Sequence, residues 1–231
     1  MSRKKVVILS GAGVSAESGI QTFRDAGGLW EGYDVMEVAS PQGWQKNKEL
    51  VLDFYNQRRK QLNDVHPNLA HLEIKKLEAK HDVVVITQNI DDLHERAGSS
   101  NVIHLHGELR KARSVNNESL VTYIEGDINL GDLASDGHQL RPHIVWFGEM
   151  VPMLEKAAAE VSDADIIIIV GTSMKVYPAA GLVSYAPRDA ILHYVDPNPN
   201  ISHEMQLLNN LQVLRLKATE GISEIVKKLL E

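Results

Sequence analysis

Short, almost uninterrupted apolar runs recur along this chain, and longer segments with a helical pattern separate them. The runs cover residues 6–9, 82–87, 102–105, 144–147, 165–170 and 191–195. Runs of this length that are rich in β-branched residues are typical of parallel strands covered on both faces. The pattern therefore predicts a parallel sheet with a buried core.

Three segments outside these runs have the spacing of amphipathic helices. They are residues 50–62, with Leu52, Phe54 and Tyr55 facing inward; residues 68–80, which follow Pro67 as a first-turn residue; and residues 220–230, with Ile222, Ile225, Val226 and Leu229 on one stripe. Strands that alternate with helices predict an α/β fold, a Rossmann-like parallel sheet with helices on both faces.

Two segments do not fit this alternation. Residues 26–80 form a long, mostly helical insertion, and residues 111–140 are polar with one weak strand at 120–124. We expect these insertions to pack together as a small domain. Residues 1–25, 81–110 and 141–231 would then form the Rossmann-like domain.

Composition narrows the function classes. A net charge of −7 over 231 residues argues against nucleic-acid binding by phosphate neutralisation, and the absence of cysteine excludes disulfides, thiol catalysis and cysteine-ligated zinc. The apolar run at 6–9 is too short for a signal peptide, and no run has the length of a membrane span. We expect a soluble, cytoplasmic monomer without a membrane partner.

The first apolar run ends at Gly11-Ala12-Gly13, and small or hydroxyl residues follow it. A glycine turn between a strand and a helix directs backbone N–H groups at a pyrophosphate, with Gly11 for its φ freedom, Gly13 for close approach and Ala16 in the permissive third position. Such turns also occur without a ligand. The acidic residue expected about twenty positions later is missing, which disfavours a plain dehydrogenase.

Polar residues follow two further strands. Asn89 and Asp91 come after residues 82–87, where they either cap a helix beginning near Asp92 or hold a carboxamide. His104 and His106 are spaced to point to one face of a strand; a metal interpretation lacks an evident third ligand. His106 lies at the predicted strand end and is the better candidate for a general base.

Two more clusters of candidate site residues follow later in the chain. Trp146 and Phe147 are either core residues or the walls of an apolar tunnel, with the Gly148 backbone open to pair with a peptide. Gly171-Thr172-Ser173 ends another apolar run and offers hydroxyl groups for a second phosphate or ribose contact.

Four motifs together resemble the signature set of the sirtuins, which are NAD-dependent protein-lysine deacylases. The resemblance runs in the family's order from Val6 to about Leu230. Its motifs are residues 11–24 (GAGVSAESGIQTFR), 87–91 (TQNID), 104–108 (HLHGE) and 171–173 (GTS). The chain is most similar to a class III-like bacterial type that lacks the zinc-binding cysteines.

The resemblance implies that NAD is consumed as a co-substrate, giving nicotinamide and O-acyl-ADP-ribose. It implies that His106 is the catalytic base, and that Val145, Phe147 and Gly148 bind acyl-lysine. The residues implied in NAD binding are Gly11, Ala12, Gly13, Ser15, Ser18, Phe23, Arg24, Gln88, Asn89, Asp91, Gly171, Thr172, Ser173 and Asp196. The family usually has Asn where Asp196 aligns, and a carboxylate still accepts hydrogen bonds from ribose.

Two departures from the family pattern refine the prediction. The segment that holds zinc in most sirtuins contains Ser114, Asn116, Asn117 and His138 here but no thiolate, so we expect no zinc.

The second departure concerns the acyl group. Tyr55 and Arg58 lie on one helical face, where they form either an ordinary amphipathic surface or, as in class III sirtuins, a site for a succinyl or malonyl carboxylate. Ala39 matches the small residue that widens the pocket in that class. Two alternatives remain: a mono-ADP-ribosyltransferase and a non-catalytic NAD or ADP-ribose sensor.

Overall fold

The structure is a computed structural model that describes residues 3–21, 29–30, 32–206 and 210–231. Its strands are β1 (Lys5–Ser10), β2 (Leu29–Trp30), β3 (Tyr33–Asp34), β4 (Asp82–Thr87), β5 (Val102–His104), β6 (Gly107–Ser114), β7 (Val121–Tyr123), β8 (Leu140–Ile144), β9 (Ile166–Val170), β10 (Ile191–Val195) and β11 (Leu211–Leu214). Its α-helices are α1 (Val35–Val38), α2 (Pro41–Lys46), α3 (Lys48–Gln61), α4 (Leu69–Lys76), α5 (Leu93–Arg96), α6 (Leu154–Ser162), α7 (His203–Gln206) and α8 (Ala218–Leu230).

Six of the strands form a parallel sheet in the order β11-β10-β9-β1-β4-β5. β1 lies at its centre, and its last residue, Ser10, pairs with Thr87 of β4 and Val170 of β9. From β1 the chain builds the sheet outward through β4 and β5 on one side and through β9, β10 and β11 on the other. The strand order therefore reverses beside β1, and this topological switch point is where α/β sheets bind ligands.

Alternate residues of the central strand face opposite layers of the core. Val7 and Leu9 pack toward α6 and the 3₁₀ segment Ala179–Tyr185, whereas Val6 and Ile8 pack toward α4 and α8. Burial on both faces explains why the parallel strands are nearly continuous apolar runs. The predicted fold class, a Rossmann-like sheet with helices on both faces, is confirmed.

A second, antiparallel sheet has the order β7-β6-β8, and a two-stranded ribbon joins β2 to β3. α3 packs against β6 and β8 through Phe54 and Tyr55, which are fully buried with Trp146 in a third core cluster. The structure thus contains the predicted small domain, while its exact sequence boundaries remain a prediction.

Several local predictions need correction. The strand expected at 144–147 is Leu140–Ile144, and it belongs to the antiparallel sheet because β8 pairs with β6. Two short 3₁₀ segments, Ala12–Val14 and Ala16–Ser18, follow the glycine turn in place of an α-helix. Pro67 lies outside the helix it precedes, because Asn68 is the N-cap of α4. The sequence pattern also missed β6, β11 and α6.

Among the described residues, no helix has the length and apolar character needed to cross a membrane.

Candidate functional site

A cleft of about 740 Å³ opens at the switch point, over the carboxyl ends of the parallel strands. Its walls come from the loops that follow β1, β4, β5, β9 and β10, and from the segment after β8. These loops carry the predicted site residues Gly11, Ala12, Gly13, Gln88, Asn89, Asp91, His106, Val145, Phe147, Gly148, Gly171, Thr172, Ser173 and Asp196. The topology therefore brings motifs that are up to 185 positions apart (from 11 to 196) into one cleft.

The glycine turn does not work in the predicted way. Gly11 has an extended backbone with φ −135°, so its φ needs no glycine. A Cβ on Gly11 would lie 2.7 Å from the Cβ of Thr172, and one on Gly13 would lie 2.7 Å from the Cα of Gly171. The N–H groups of Gly11 and Gly13 donate to the carbonyls of Val170 and Gly171 (3.1 and 2.7 Å). Glycine is required here because the loops after β1 and β9 touch.

Polar side chains connect the loops across the cleft. The Gln88 side-chain amide donates to the Thr172 hydroxyl (3.1 Å), which also accepts from the backbone N–H of Met174 (3.2 Å). Asp196 lies at the end of β10, is buried, and accepts from the backbone N–H of Asn198 (2.8 Å). These contacts fix a hydroxyl and a carboxylate at the end of the cleft formed by β9 and β10.

Ser15 has a different position from the one expected. It is fully buried behind the cleft, where its hydroxyl donates to Asp91 Oδ2 and accepts from the Asn89 side-chain amide, both at 3.0 Å. Ser18 accepts from Asn68 in the same way (3.0 Å). Both serines join neighbouring loops through these hydrogen bonds, and neither lines the cleft; their contact with the cofactor stays a prediction.

Asp91 is a buried carboxylate that accepts hydrogen bonds from two groups. Besides Ser15, the backbone N–H of Leu93, the first residue of α5, donates to it (3.2 Å), while the N-cap of that helix is Asp92. Burial raises the pKa of Asp91, while these hydrogen bonds and the charge of His104 act in the opposite direction. A carboxylate and an amide, those of Asp91 and Asn89, therefore stand together on the cleft wall.

His106 has the geometry of a general base. Its Nδ1 is 3.0 Å from the carbonyl oxygen of Gln88. A carbonyl only accepts, so Nδ1 carries the proton and Nε2 has a free lone pair in the neutral ring. Burial lowers the pKa of His106, against the effect of the Gln88 hydrogen bond. The imidazole is thus neutral near pH 7 and able to take a proton at Nε2.

The sequence shows no evident third ligand for a metal held by His104 and His106, and the structure brings two carboxylates close to His104. Within the described ranges, Glu95, His104 and Glu108 place ligand atoms within 4.8 Å of one another. His104 Nε2 lies 2.6 Å from Glu95, and Glu108 pairs with Lys111 at 2.6 Å. These distances describe ion pairs, which satisfy the carboxylates without a metal.

The segment after β8 forms the wall opposite the glycine turn. Its Trp146 is buried, whereas Phe147 is 44% exposed, so the first is a core residue and the second faces the opening. The N–H of Phe147 donates to the carbonyl of Ala39 (3.0 Å), which is itself buried. Gly148 has φ +90°, a conformation that L side chains rarely adopt.

Glu149, which sequence analysis missed, anchors this wall. It accepts two hydrogen bonds from Arg141 (2.7 and 3.2 Å) and one from the backbone N–H of Trp146 (2.8 Å). Arg141 also lies over the Trp146 ring at 3.3 Å. No local pattern marks this arrangement, because the signal is an ion pair eight positions apart.

Tyr55 and Arg58 line two adjoining cavities. The Tyr55 hydroxyl is fully buried and accepts from the Trp146 indole N–H (3.0 Å), which leaves its own proton available to an acceptor in the cleft. Burial raises the pKa of Tyr55, so the hydroxyl stays protonated.

Arg58 borders a smaller cavity that shares Trp30 and Asp91 with the cleft. Its guanidinium lies 4.6 Å from the Phe54 ring centre. Two of its buried nitrogens, Nε and Nη1, have no hydrogen-bond partner in the described part of the chain.

Hydrogen bonds hold the polar segment that the sequence predicts to bind no zinc. Ser114 donates to Asp136 (2.7 Å) and accepts from the backbone N–H groups of Asn116 (3.0 Å) and Asn117 (3.3 Å). The backbone N–H of His138 donates to the same Asp136 (3.1 Å). The four residues singled out in the sequence thus form one turn network.

Two predicted site residues, Phe23 and Arg24, lie outside the described residues. Sequence analysis also missed cleft-lining residues that follow β9 and precede α8: Val176, Tyr177, Pro178, Lys217 and Ala218. Their only sequence signal is proximity to strand or helix ends.

Comparison with known proteins identifies close relatives over the whole chain. The sequence profile of the Sir2 family matches residues 11–178. An NAD-dependent protein deacylase of Helicobacter pylori is 56% identical over 228 residues, covering 99% of this chain and 98% of that protein. One of Bacteroides thetaiotaomicron is 52% identical over 233 residues, covering 98% of each.

Solved structures similar to this chain belong to the same family as these relatives. A Sir2 homologue in complex with NAD superimposes with a TM-score of 0.85 at 40% identity, covering 98% of this chain and 90% of the other. A mutant Sir2 homologue in complex with ADP-ribose superimposes with a TM-score of 0.87 at 41% identity, covering 98% and 92%.

Proposed function

This chain belongs to the Sir2 family, and we propose that, as an NAD-dependent protein deacylase, it removes succinyl and malonyl groups as well as acetyl groups from lysine side chains. The resemblance to sirtuins inferred from the motifs is thereby confirmed at the level of family and enzyme class. The acyl preference, the products and the individual residue roles are our proposal.

The cleft has the donor and acceptor set that a dinucleotide requires. Asn89 and Asp91 stand at one end and Asp196 at the other, with the glycine turn between them. We infer that Asn89 and Asp91 bind the carboxamide of nicotinamide and that Asp196 accepts from the adenosine ribose. When bound, NAD supplies the bond between nicotinamide and ribose that is cleaved in the reaction.

His106 is the proposed base. Its neutral ring, with the proton on Nδ1 held by the Gln88 carbonyl, presents Nε2 as the acceptor for a ribose hydroxyl proton. The exposed Phe147 ring and the adjacent Gly148 backbone would receive the acyl-lysine chain beside this nitrogen.

One observation supports the acidic-acyl preference: buried Arg58 nitrogens without a partner in the described residues. Burying guanidinium N–H groups without acceptors is unfavourable, so a carboxylate reaching this cavity would be bound strongly. Tyr55 offers a hydroxyl proton on the adjoining cleft wall, and the small Ala39 leaves room for a longer acyl group.

The test compares acyl groups in one variant. Arg58→Met keeps the length and apolar stem but removes the charge, so kcat/KM for a succinyl-lysine peptide should fall about tenfold to a hundredfold, while that for the acetyl peptide changes little. Tyr55→Phe should act in the same direction but more weakly. Mass spectrometry of the products should give nicotinamide and O-acyl-ADP-ribose.

Lys60→Met on the same helix is the matched control, because Lys60 is exposed and pairs with Asp127 on the surface. It should leave both activities unchanged. If Arg58→Met lowers both acyl activities in parallel, Arg58 supports the fold and the acyl preference is withdrawn. ADP-ribosylated protein in place of O-acyl-ADP-ribose would favour transferase activity.

A further inference from the structure

Two histidines of one motif hold two successive carbonyls of the loop after β4. His106 Nδ1 is 3.0 Å from the carbonyl oxygen of Gln88, and His104 Nδ1 is 3.0 Å from that of Asn89. The proposed function uses His106 as the base and gives His104 no role. The i, i+2 spacing nevertheless places both rings against the loop that carries Asn89 and Asp91.

His104 differs from His106 in its second nitrogen. Its Nε2 lies 2.6 Å from Glu95 Oε1. A carbonyl and a carboxylate can only accept, so both ring nitrogens must donate and His104 is an imidazolium. Burial lowers the pKa of His104, but the hydrogen bond and charge of Glu95, with Glu108 and the Asn89 carbonyl, outweigh it and raise the pKa.

The imidazolium connects the start of the loop after β4 to the helix that follows this loop. Asn89 is the second residue of the loop, and Glu95 belongs to the helix, α5. The titratable groups facing His104 are Glu95 and His94 on α5, Glu108 on β6 and Asp91 in the loop. Burial lowers the pKa of His94 well below its usual value, so His94 is neutral. The positive charge of His104 favours the ionised form of Asp91.

We propose that the His104–Glu95 ion pair is a positioning device for the nicotinamide end of the cleft, which holds the Asn89 carbonyl in place and keeps Asp91 ionised. This inference rests on the proposed binding of nicotinamide at Asn89 and Asp91. His104 acts through these two residues. It therefore sets the affinity for the nicotinamide moiety but leaves the ADP-ribose moiety untouched.

The experiment measures the binding of NAD and of ADP-ribose to the intact protein by calorimetry. His104→Ala removes both hydrogen bonds. Glu95→Gln keeps an acceptor for Nε2 but removes the charge, so it tests the ion pair even if His104→Ala fails to fold. His138→Ala, on an exposed turn of the small domain, is the matched histidine control.

At pH 7, Glu95→Gln and His104→Ala should weaken NAD binding about tenfold, the effect of one charge-assisted hydrogen bond. ADP-ribose binding should change less than about twofold, and the control should change neither. Free nicotinamide should inhibit both variants correspondingly less than it inhibits the wild type.

The pH dependence of ligand binding distinguishes an effect of the His104 charge from an effect of its side-chain packing. In the wild type, the ratio of NAD to ADP-ribose affinity should fall as pH rises through the raised pKa of His104. In Glu95→Gln the loss of the neighbouring negative charge lowers that pKa, so the fall should occur at a lower pH. His106 is present in both proteins, and its titration does not alter this difference.

Equal weakening of both ligands would make the pair a general structural support and overturn the proposal. So would unchanged NAD binding, or identical pH curves for the wild type and Glu95→Gln. Failure of the proposed function would show separately, as wild-type protein that binds ADP-ribose but releases no nicotinamide with any acyl peptide.

Discussion

The two sheets of this protein hold their loops in different ways. At the edge of the parallel sheet, loops touch backbone to backbone: Gly11 and Gly13 donate to carbonyls at the end of β9. In the small domain, long side chains connect the loops by hydrogen bonds. Arg59 of α3 is 1% exposed and donates to the carbonyls of Leu109 and Gly126 (2.7 and 3.2 Å).

The polar partners of Arg59 extend this support. Asn56 accepts from Arg59 (2.8 Å) and exchanges two hydrogen bonds with the backbone of Ile128 (3.0 and 2.9 Å). Burial lowers the pKa of Arg59 to about 10, which leaves it charged at neutral pH. One buried cation therefore ties α3 to the polar segment of residues 111–140, and we expect substitutions in the two regions to have different effects.

The largest effect is expected for chemistry at the parallel sheet. His106→Ala removes the proposed base and should lower the deacylation rate about 10²–10⁴-fold, because proton transfer by a positioned side chain contributes that much. NAD affinity, measured by calorimetry, should stay nearly the same. A matched His138→Ala should retain full activity; near-normal deacylation by His106→Ala would disprove the assignment.

In the small domain, Arg59→Met should lower the free energy of unfolding by about 3 kcal/mol, since the carbonyls of Leu109 and Gly126 and the side chain of Asn56 lose their donor. Urea denaturation measures this loss. Lys60→Met, which breaks only an exposed ion pair, should cost about 0.5 kcal/mol or less. Equal stability of the two variants would show that Arg59 does not hold the small domain.

The backbone contact at the parallel sheet is tested by Gly13→Ala. The new Cβ would lie 2.7 Å from Gly171 Cα and 2.8 Å from its oxygen, so the loops must separate. We expect a loss of about 1–3 kcal/mol in unfolding free energy and weaker ADP-ribose binding. Gly126→Ala is the control, with nothing within 4 Å of its Cβ. Wild-type behaviour of Gly13→Ala would refute the close-contact argument.

The smallest expected effect is that of metal removal. The chain has no cysteine, and Ser114 hydrogen-bonds to Asp136 in the polar segment of the small domain. Treatment with a chelator should therefore leave the thermal midpoint and the activity unchanged. Stoichiometric zinc in elemental analysis would reveal a nitrogen and oxygen site in the protein.

The sequence by itself determined the parallel sheet and the residues at its edge. Runs such as Ile166–Val170 are buried on both faces, so their apolar pattern leaves little choice of element. Polar residues that follow such strands lie together at the carboxyl edge of the sheet, independent of the conformation of the loops. The sequence predicts Gln88, Asn89, Asp91, Thr172 and Asp196 to be members of one site for that reason, and all of them line the cleft.

Only the tertiary structure decided which partners each residue has. It turned Ser15 toward Asn89 and Asp91 and moved the predicted 144–147 strand into the antiparallel sheet. It also gave two neighbouring arginines different surroundings: Arg58 borders a small cavity, whereas Arg59 is the buried support of the small domain. Neighbouring arginines on one helix look alike in sequence. Their roles differ because burial and hydrogen-bond acceptors come from segments some 50 to 70 positions away, and no local pattern records them.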